Sequence, residues 1–168
     1  MTLDLATLAQ FLVRAKLKTY ASDGAEVPAN QVQRPGFKEL VHREGDLEYR
    51  DSYTGFYRAP GQELVRVKEQ PFWSMSYDGG MLPTYHGNLA FTKQTFAHLK
   101  RALSLVPISL PFRGPSFFRE GSFTYTFEVH GDITDFYGLE AIHHDDIKVF
   151  QQRCMGGLIL PKNLAQSL

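Results

Sequence analysis

Cysteine is nearly missing from this chain. Cys154 stands alone among 168 residues, so no disulfide can form within the molecule, and nothing in the cysteine pattern speaks for export. An excess of charge is missing too: 18 basic residues face 18 acidic ones, which leaves no global field to recruit nucleic acid or an anionic membrane. No apolar run approaches the roughly 18 residues that span a bilayer. The opening "MTLDLATLAQ" carries an acid and no basic segment ahead of an apolar one, so no secretory signal is expected and a cytoplasmic location is the default. Nucleotide-binding loops, Gly-x-Ser-x-Gly elbows and paired-cysteine zinc motifs are all lacking. No catalytic residue, cofactor or metal is therefore assigned.

Aromatic residues, by contrast, are plentiful, with thirteen Phe and eight Tyr, a composition that favours sheet over a helical bundle. Residues 4–17 place Leu5, Leu8, Leu12 and Ala15 at helical spacing, with Thr2 or Asp4 as N-cap and Lys16 and Lys18 at the end that favours cations. A polar stretch from Ser22 to Gly36 reads as a long loop, functional or mobile. Strands follow at 45–53 and in a hairpin over 63–77 that turns near Lys68–Pro71. A second helix is expected from Thr92, its N-cap, to about Leu105, then strands at 122–130, 133–143 and 147–154. The fold class is α+β: two helices packed on a largely antiparallel sheet, in a single domain spanning 1–168.

Two stretches of equal length share their punctuation, "GQELVRVKEQPFWSMSYDGG" at 61–80 and "GLEAIHHDDIKVFQQRCMGG" at 138–157. Placing Gly61 on Gly138 aligns Glu63 with Glu140 and Val65 with Ile142, and it joins both Gly-Gly pairs. An internal repeat of 1–82 and 91–160 would give two helix-plus-hairpin halves about a pseudo-two-fold axis, with a central groove between them. Such grooves are frequent ligand sites.

Several residues carry chemistry. "YRDSY" sets Tyr49, Asp51 and Tyr53 on one strand face, where an acid between two phenols orients a hydroxyl or binds an amine, or simply packs. Glu63 and Glu140 need partners if they face inward, because a lone buried carboxylate is very costly. They are open to two readings, braces that accept backbone N–H groups or polar anchors in an aromatic pocket with Trp73 and Tyr77 nearby. Tyr49, Tyr53, Tyr77, Arg50 and Arg58 are the candidate partners. "HHDDI" at 143–147 reads as a turn rather than a metal site, since His143 and His144 point to opposite faces. The seven acids between Glu120 and Ile147, with no Lys or Arg among them, read as a solvated face or as a surface for cations.

The runs "KTYASDG", "YRDSYTGFYRAPGQELV", "PFWSMSYDG", "LVPISLPFRGPSFFREGSFTY", "GDITDFYGLEAI" and "VFQQRCMGGLI" resemble, in that order, the bacterial and archaeal domain of unknown function numbered 5680. The resemblance runs from the first helix to Gly157. Members of that family occur alone or after a helix-turn-helix in proteins labelled as transcriptional regulators. The resemblance implies the isolated domain, a sensory or partner-binding module, and no catalytic residues.

Three functions compete. A small-molecule-binding module lined by Tyr49, Asp51, Tyr53, Glu63, Trp73, Tyr77 and Glu140 requires a preformed cavity of roughly 300 Å³ or more. An interaction or oligomerisation domain, with a homodimer as the expected partner, requires an exposed apolar patch. An enzyme requires a pocket holding a titratable pair. The first is preferred, and direct binding to nucleic acid or membrane is not expected.

Overall fold

The computed structural model describes residues 3–21 and 24–162. Thr2, named above as a cap, and Ser22, where the polar loop was expected to begin, lie outside the described residues. Helix α1, Leu5–Lys18, starts on Asp4, whose carboxylate accepts the backbone N–H of Thr7. Four strands follow: β1 (Lys38–Glu44), β2 (Leu47–Tyr53), β3 (Gly61–Val67) and β4 (Gln70–Met81). Helix α2, Leu89–Leu103, leads into β5 (Phe117–Glu120), β6 (Phe123–Asp132), β7 (Asp135–His144) and β8 (Ile147–Leu158). All eight strands form one antiparallel sheet in the order β1-β2-β3-β4-β8-β7-β6-β5. The expected α+β class and the order of helix, four strands, helix, four strands are what the chain adopts.

The differences are local. Strand β1 was not foreseen, because "KELVHRE" is too charged to show an apolar alternation; charge of that kind suits an edge strand. Helix α2 begins three residues early, since Asn88 rather than Thr92 caps it by accepting from Phe91 N–H. The β6–β7 turn falls on Ile133-Thr134, where Asp132 accepts both the backbone N–H and the hydroxyl of Thr134, rather than between the strands expected at 122–130 and 133–143. The acids between Glu120 and Ile147 do not form one face: Glu120 pairs with Arg101, Asp132 braces its turn, and Glu140 is buried.

The shift that places Gly61 on Gly138 relates more than sequence. It carries the positive-φ turn Lys68-Glu69 onto the positive-φ turn Asp145-Asp146. The same shift carries the register break at Val65/Arg66 onto that at Ile142/His143. Where β4 meets β8 the pairs run from Trp73 with Leu158, through Tyr77 with Cys154, to Met81 with Phe150. Trp73 and Phe150 correspond under this shift, as do Met81 and Leu158.

One core lies between the helices and the sheet face that carries Tyr49, Val65, Trp73, Met75, Tyr125, Phe127 and Ile142. Alternate strand residues supply that face, and Leu8, Phe11, Leu12 and Ala15 of α1 close over it.

At its far end β4 leaves β3 and pairs with the backbone of the 54–60 loop, Ala59 N–H donating to Gly79 O and Met81 N–H to Tyr57 O. Gly80 makes this crossing feasible. Its φ is +147°, and a Cβ there would lie 2.0 Å from the Tyr57 carbonyl oxygen. Gly80→Ala is expected to cost about 2 kcal/mol or more, read as a lower urea midpoint with an unchanged slope.

The long polar loop is pinned from below. Glu39 of β1 is fully buried, and its carboxylate accepts the backbone N–H groups of Gln33 (3.0 Å) and Arg34 (3.1 Å), the Ser52 hydroxyl and the Arg50 guanidinium. Burial alone would raise its pKa; these donors reverse that and hold it below the ordinary value. Glu39→Gln is expected to cost about 2–3 kcal/mol and to speed proteolysis within residues 24–36, measured on the intact chain.

Candidate site: a cavity between the helices

Between the end of α1, the face of α2 and the centre of the sheet lies a cavity of about 370 Å³. Its wall is largely apolar and aromatic. Phe56 from the 54–60 loop stands edge-on to Phe96 of α2 (5.6 Å between centroids), which stands edge-on to Phe150 of β8 (6.2 Å). Leu40, Leu99 and Leu103 complete that wall. The polar side is supplied by Asp51, Tyr53 and Tyr77 of the sheet, Arg113 of the α2–β5 connection, Gln152 of β8 and Tyr20 just beyond α1. Glu26 stands at the rim, taking hydrogen bonds from the Tyr53 hydroxyl (2.8 Å) and Lys38.

Five ionisable side chains are buried in or under this polar side. Lys16 projects from the apolar stripe of α1 and pairs with Glu63, both with no exposed surface. The rings of Tyr20, Tyr49 and Trp73 surround its ammonium at 5.4–6.0 Å. Burial pulls Lys16 below the ordinary lysine value, while the Glu63 carboxylate pushes it back up. Arg113 grips Glu140 through Nε (3.1 Å) and Nη2 (3.0 Å), and Glu140 also accepts from the Tyr125 hydroxyl (2.7 Å) and Gln152 Nε2 (3.3 Å). The guanidinium lies over Tyr20 and Tyr77 at 5.3 and 5.6 Å. Each cation thus has its carboxylate.

Asp51 is the carboxylate left over. It is only 3 % exposed, yet its one hydrogen bond among the described residues comes from the Tyr77 hydroxyl to Oδ1, at 2.7 Å. Directly opposite on β3 is Glu63, a like charge in the cross-strand position. Burial first, and then the Glu63 carboxylate, push Asp51 up to about 7; Tyr77, Arg113 and Lys16 pull the other way. In the other hairpin pair the residue opposite Glu140 is Phe127, so the sheet does not require an acid in this place. Nearby, the Tyr20 and Tyr49 hydroxyls and Glu63 Oε1 are buried with no hydrogen-bond partner among the described residues. Unpaired polar atoms of this kind are costly.

The seven residues named from the sequence divide into two groups. Asp51, Tyr53 and Tyr77 line the cavity. Tyr49, Glu63 and Trp73 lie beneath it in the core, and Glu140 sits behind Arg113 and Gln152. Trp73 packs on Phe136 and donates its indole N–H to Ile133 O at 3.0 Å. The two glutamates accept from side chains rather than backbone. Glu63 is held by Lys16, and Glu140 by Arg113, Tyr125 and Gln152, none of them among the expected partners. Sequence reasoning passed over Lys16, Arg113, Tyr20 and the Phe56–Phe96–Phe150 wall. For Lys16 a signal existed, since it stands four residues after Leu12 on the buried stripe. Arg113 lies in a Pro- and Gly-rich connection with no periodicity to read.

"HHDDI" is a hairpin end, with Asp145 and Asp146 as the turn and the His144 ring against Phe91 and Phe123. Among the described residues no group of three or more His, Cys, Asp or Glu is placed to hold a metal ion. Cys154 is buried, and burial raises its thiol to about 12, far from a reactive thiolate. No helix among the described residues is long and apolar enough to cross a membrane.

No curated protein and no solved structure matches the chain. One protein family does, described as a domain of unknown function (DUF5680), over residues 51–159, which runs from Asp51 on the cavity floor through β8 and covers well over half of the 168 residues. The chain belongs to the DUF5680 family.

Proposed function

We propose that this domain is a small-molecule-binding, sensory module and that the cavity between the helices is its site. The observation that carries the reading is the convergence of a buried, incompletely bonded carboxyl, Asp51, with Tyr77, Arg113 and Gln152 on an apolar cavity of about 370 Å³. An apolar enclosure with a few fixed polar groups is the usual composition of a ligand site. Burying Asp51 opposite Glu63 works against folding, and such costs tend to persist where function requires them. The common shift that relates the two hairpins supports the further reading of two related halves with the cavity near their junction.

The test is a thermal-shift screen of metabolites at pH 8, on the wild type and on Ala59→Trp, which fills the cavity from its half-exposed wall. A ligand at a hundred times its dissociation constant adds about 2.7 kcal/mol to stability, several degrees in melting temperature. Hits that vanish in the folded Ala59→Trp variant support the site; hits that persist there place binding elsewhere.

A second reading, self-association, rests on the opposite face of the sheet, where Tyr137 and Met155 are cross-strand partners, each more than half exposed. Sedimentation at rising concentration decides it: a monomer throughout removes this reading.

A further inference from the structure

We propose that the ligand of this cavity carries a protonated amine or amidine head on an aromatic or otherwise apolar body, and that Asp51 holds that head. The inference rests on the reading of the cavity as the binding site and names the chemistry it selects.

The charges around the cavity are unequal in number. Beside it, Lys16 and Arg113 are the buried cations and Glu63, Glu140 and Asp51 the buried carboxylates; the buried pair Arg50–Glu39 does not line the cavity. Lys16 is committed to Glu63, and Arg113 is committed to Glu140 through two nitrogens. Among the described residues Asp51 has no cation bound to it and its Oδ2 takes no hydrogen bond, although the side chain lines the cavity. An ammonium or amidinium seated there supplies the missing donor and the missing charge together. An anionic head would meet Lys100 at the rim, but also Glu26 there and Asp51 at the floor, while Arg113 is already taken up by Glu140. Phe56, Phe96, Phe150, Leu99 and Leu103 offer the body of the ligand an apolar wall.

Binding of such a head depends on Asp51 being ionised. The groups that act on it are Glu63 from β3, Tyr77 from β4, Lys16 from α1 and Arg113 from the α2–β5 connection; Glu26 and, from α2, Lys100 stand at the rim. Together they leave the Asp51 carboxyl titrating near neutrality, at about 7. Affinity for the cation therefore rises between pH 5.5 and pH 8.

Three probes of one shape separate the chemistries: 2-phenylethylamine, 2-phenylethanol and 3-phenylpropanoate, titrated by calorimetry into the intact chain at pH 8 and 5.5. The amine is expected to bind at least tenfold more tightly than the other two at pH 8, and to weaken by about tenfold or more at pH 5.5. Asp51→Asn, which keeps the shape and the Tyr77 contact, is expected to abolish the preference for the amine and leave the alcohol's affinity within twofold. Equal or tighter binding of the alcohol or the carboxylate overturns the inference and leaves the cavity as the site. Retention of the amine preference in Asp51→Asn overturns it as well. If none of the three binds while the screen yields hits that Ala59→Trp removes, the head-group assignment falls alone; if the screen is also empty, both fall.

Discussion

Lys16→Met should destabilise the protein by about 3–5 kcal/mol at pH 8, the typical cost of removing one partner from a buried ion pair. The methionine fits the stripe of Leu8, Leu12 and Ala15, so lost packing is not the reason. What is lost is the only cation bound to Glu63 among the described residues, which leaves Glu63 and Asp51 as two buried carboxyls in directly opposed strand positions. Denaturant unfolding measures the loss. Lys16→Met combined with Glu63→Gln should recover at least half of it, since the amide no longer carries a buried charge. A single-variant loss below about 1 kcal/mol would mean that the ammonium reaches water, and the description of the polar core would be wrong.

The second large effect has the opposite sign. Asp51→Asn should raise stability at pH 8, by about 2–4 kcal/mol. An ordinary aspartate titrates near 3.8, whereas in the folded protein Asp51 is pushed up to about 7. The folded state therefore holds a proton that the unfolded state has released across the interval between those values. Stability from this group is present in full below pH 3.8 and is lost as pH rises through 7, by on the order of 4 kcal/mol in total. Asparagine is neutral at every pH and still accepts from the Tyr77 hydroxyl. The wild type should lose stability from pH 5 to pH 8 relative to Asp51→Asn, and the two curves should converge near pH 4. Parallel curves would show that Asp51 titrates as an ordinary surface acid.

Both effects come from side chains whose roles were unequally visible in the sequence. Alternation along 47–53 and 63–77 was legible, and it correctly put Tyr49, Asp51 and Tyr53 on one face. The shared punctuation at 61–80 and 138–157 marked two hairpins that share turn position, register break and an inward glutamate. The partners were not legible. Glu63 is answered by a helix residue 47 positions away, and Glu140 by Arg113, 27 positions back in a connection. Such pairs depend on how helix and loop dock on the sheet, which neither periodicity nor local propensity encodes. For the same reason Trp73 and Tyr49, plausible as pocket walls in a list of aromatics, lie beneath the cavity, while Phe56 and Phe96 reach it from a loop and a helix. Strand β1 escaped because an edge strand has little apolar alternation to show.

The most direct test of the cavity as a binding site is amide chemical-shift mapping of the ¹⁵N-labelled protein with 2-phenylethylamine at pH 8. The expected result is a saturable set of shifts confined to Tyr20, Asp51, Tyr53, Tyr77, Phe96 and Gln152 and their neighbours, absent in Ala59→Trp. Shifts clustered instead around Tyr137 and Met155 on the opposite face, or no saturable shifts with this amine or with any hit of the metabolite screen, would contradict it.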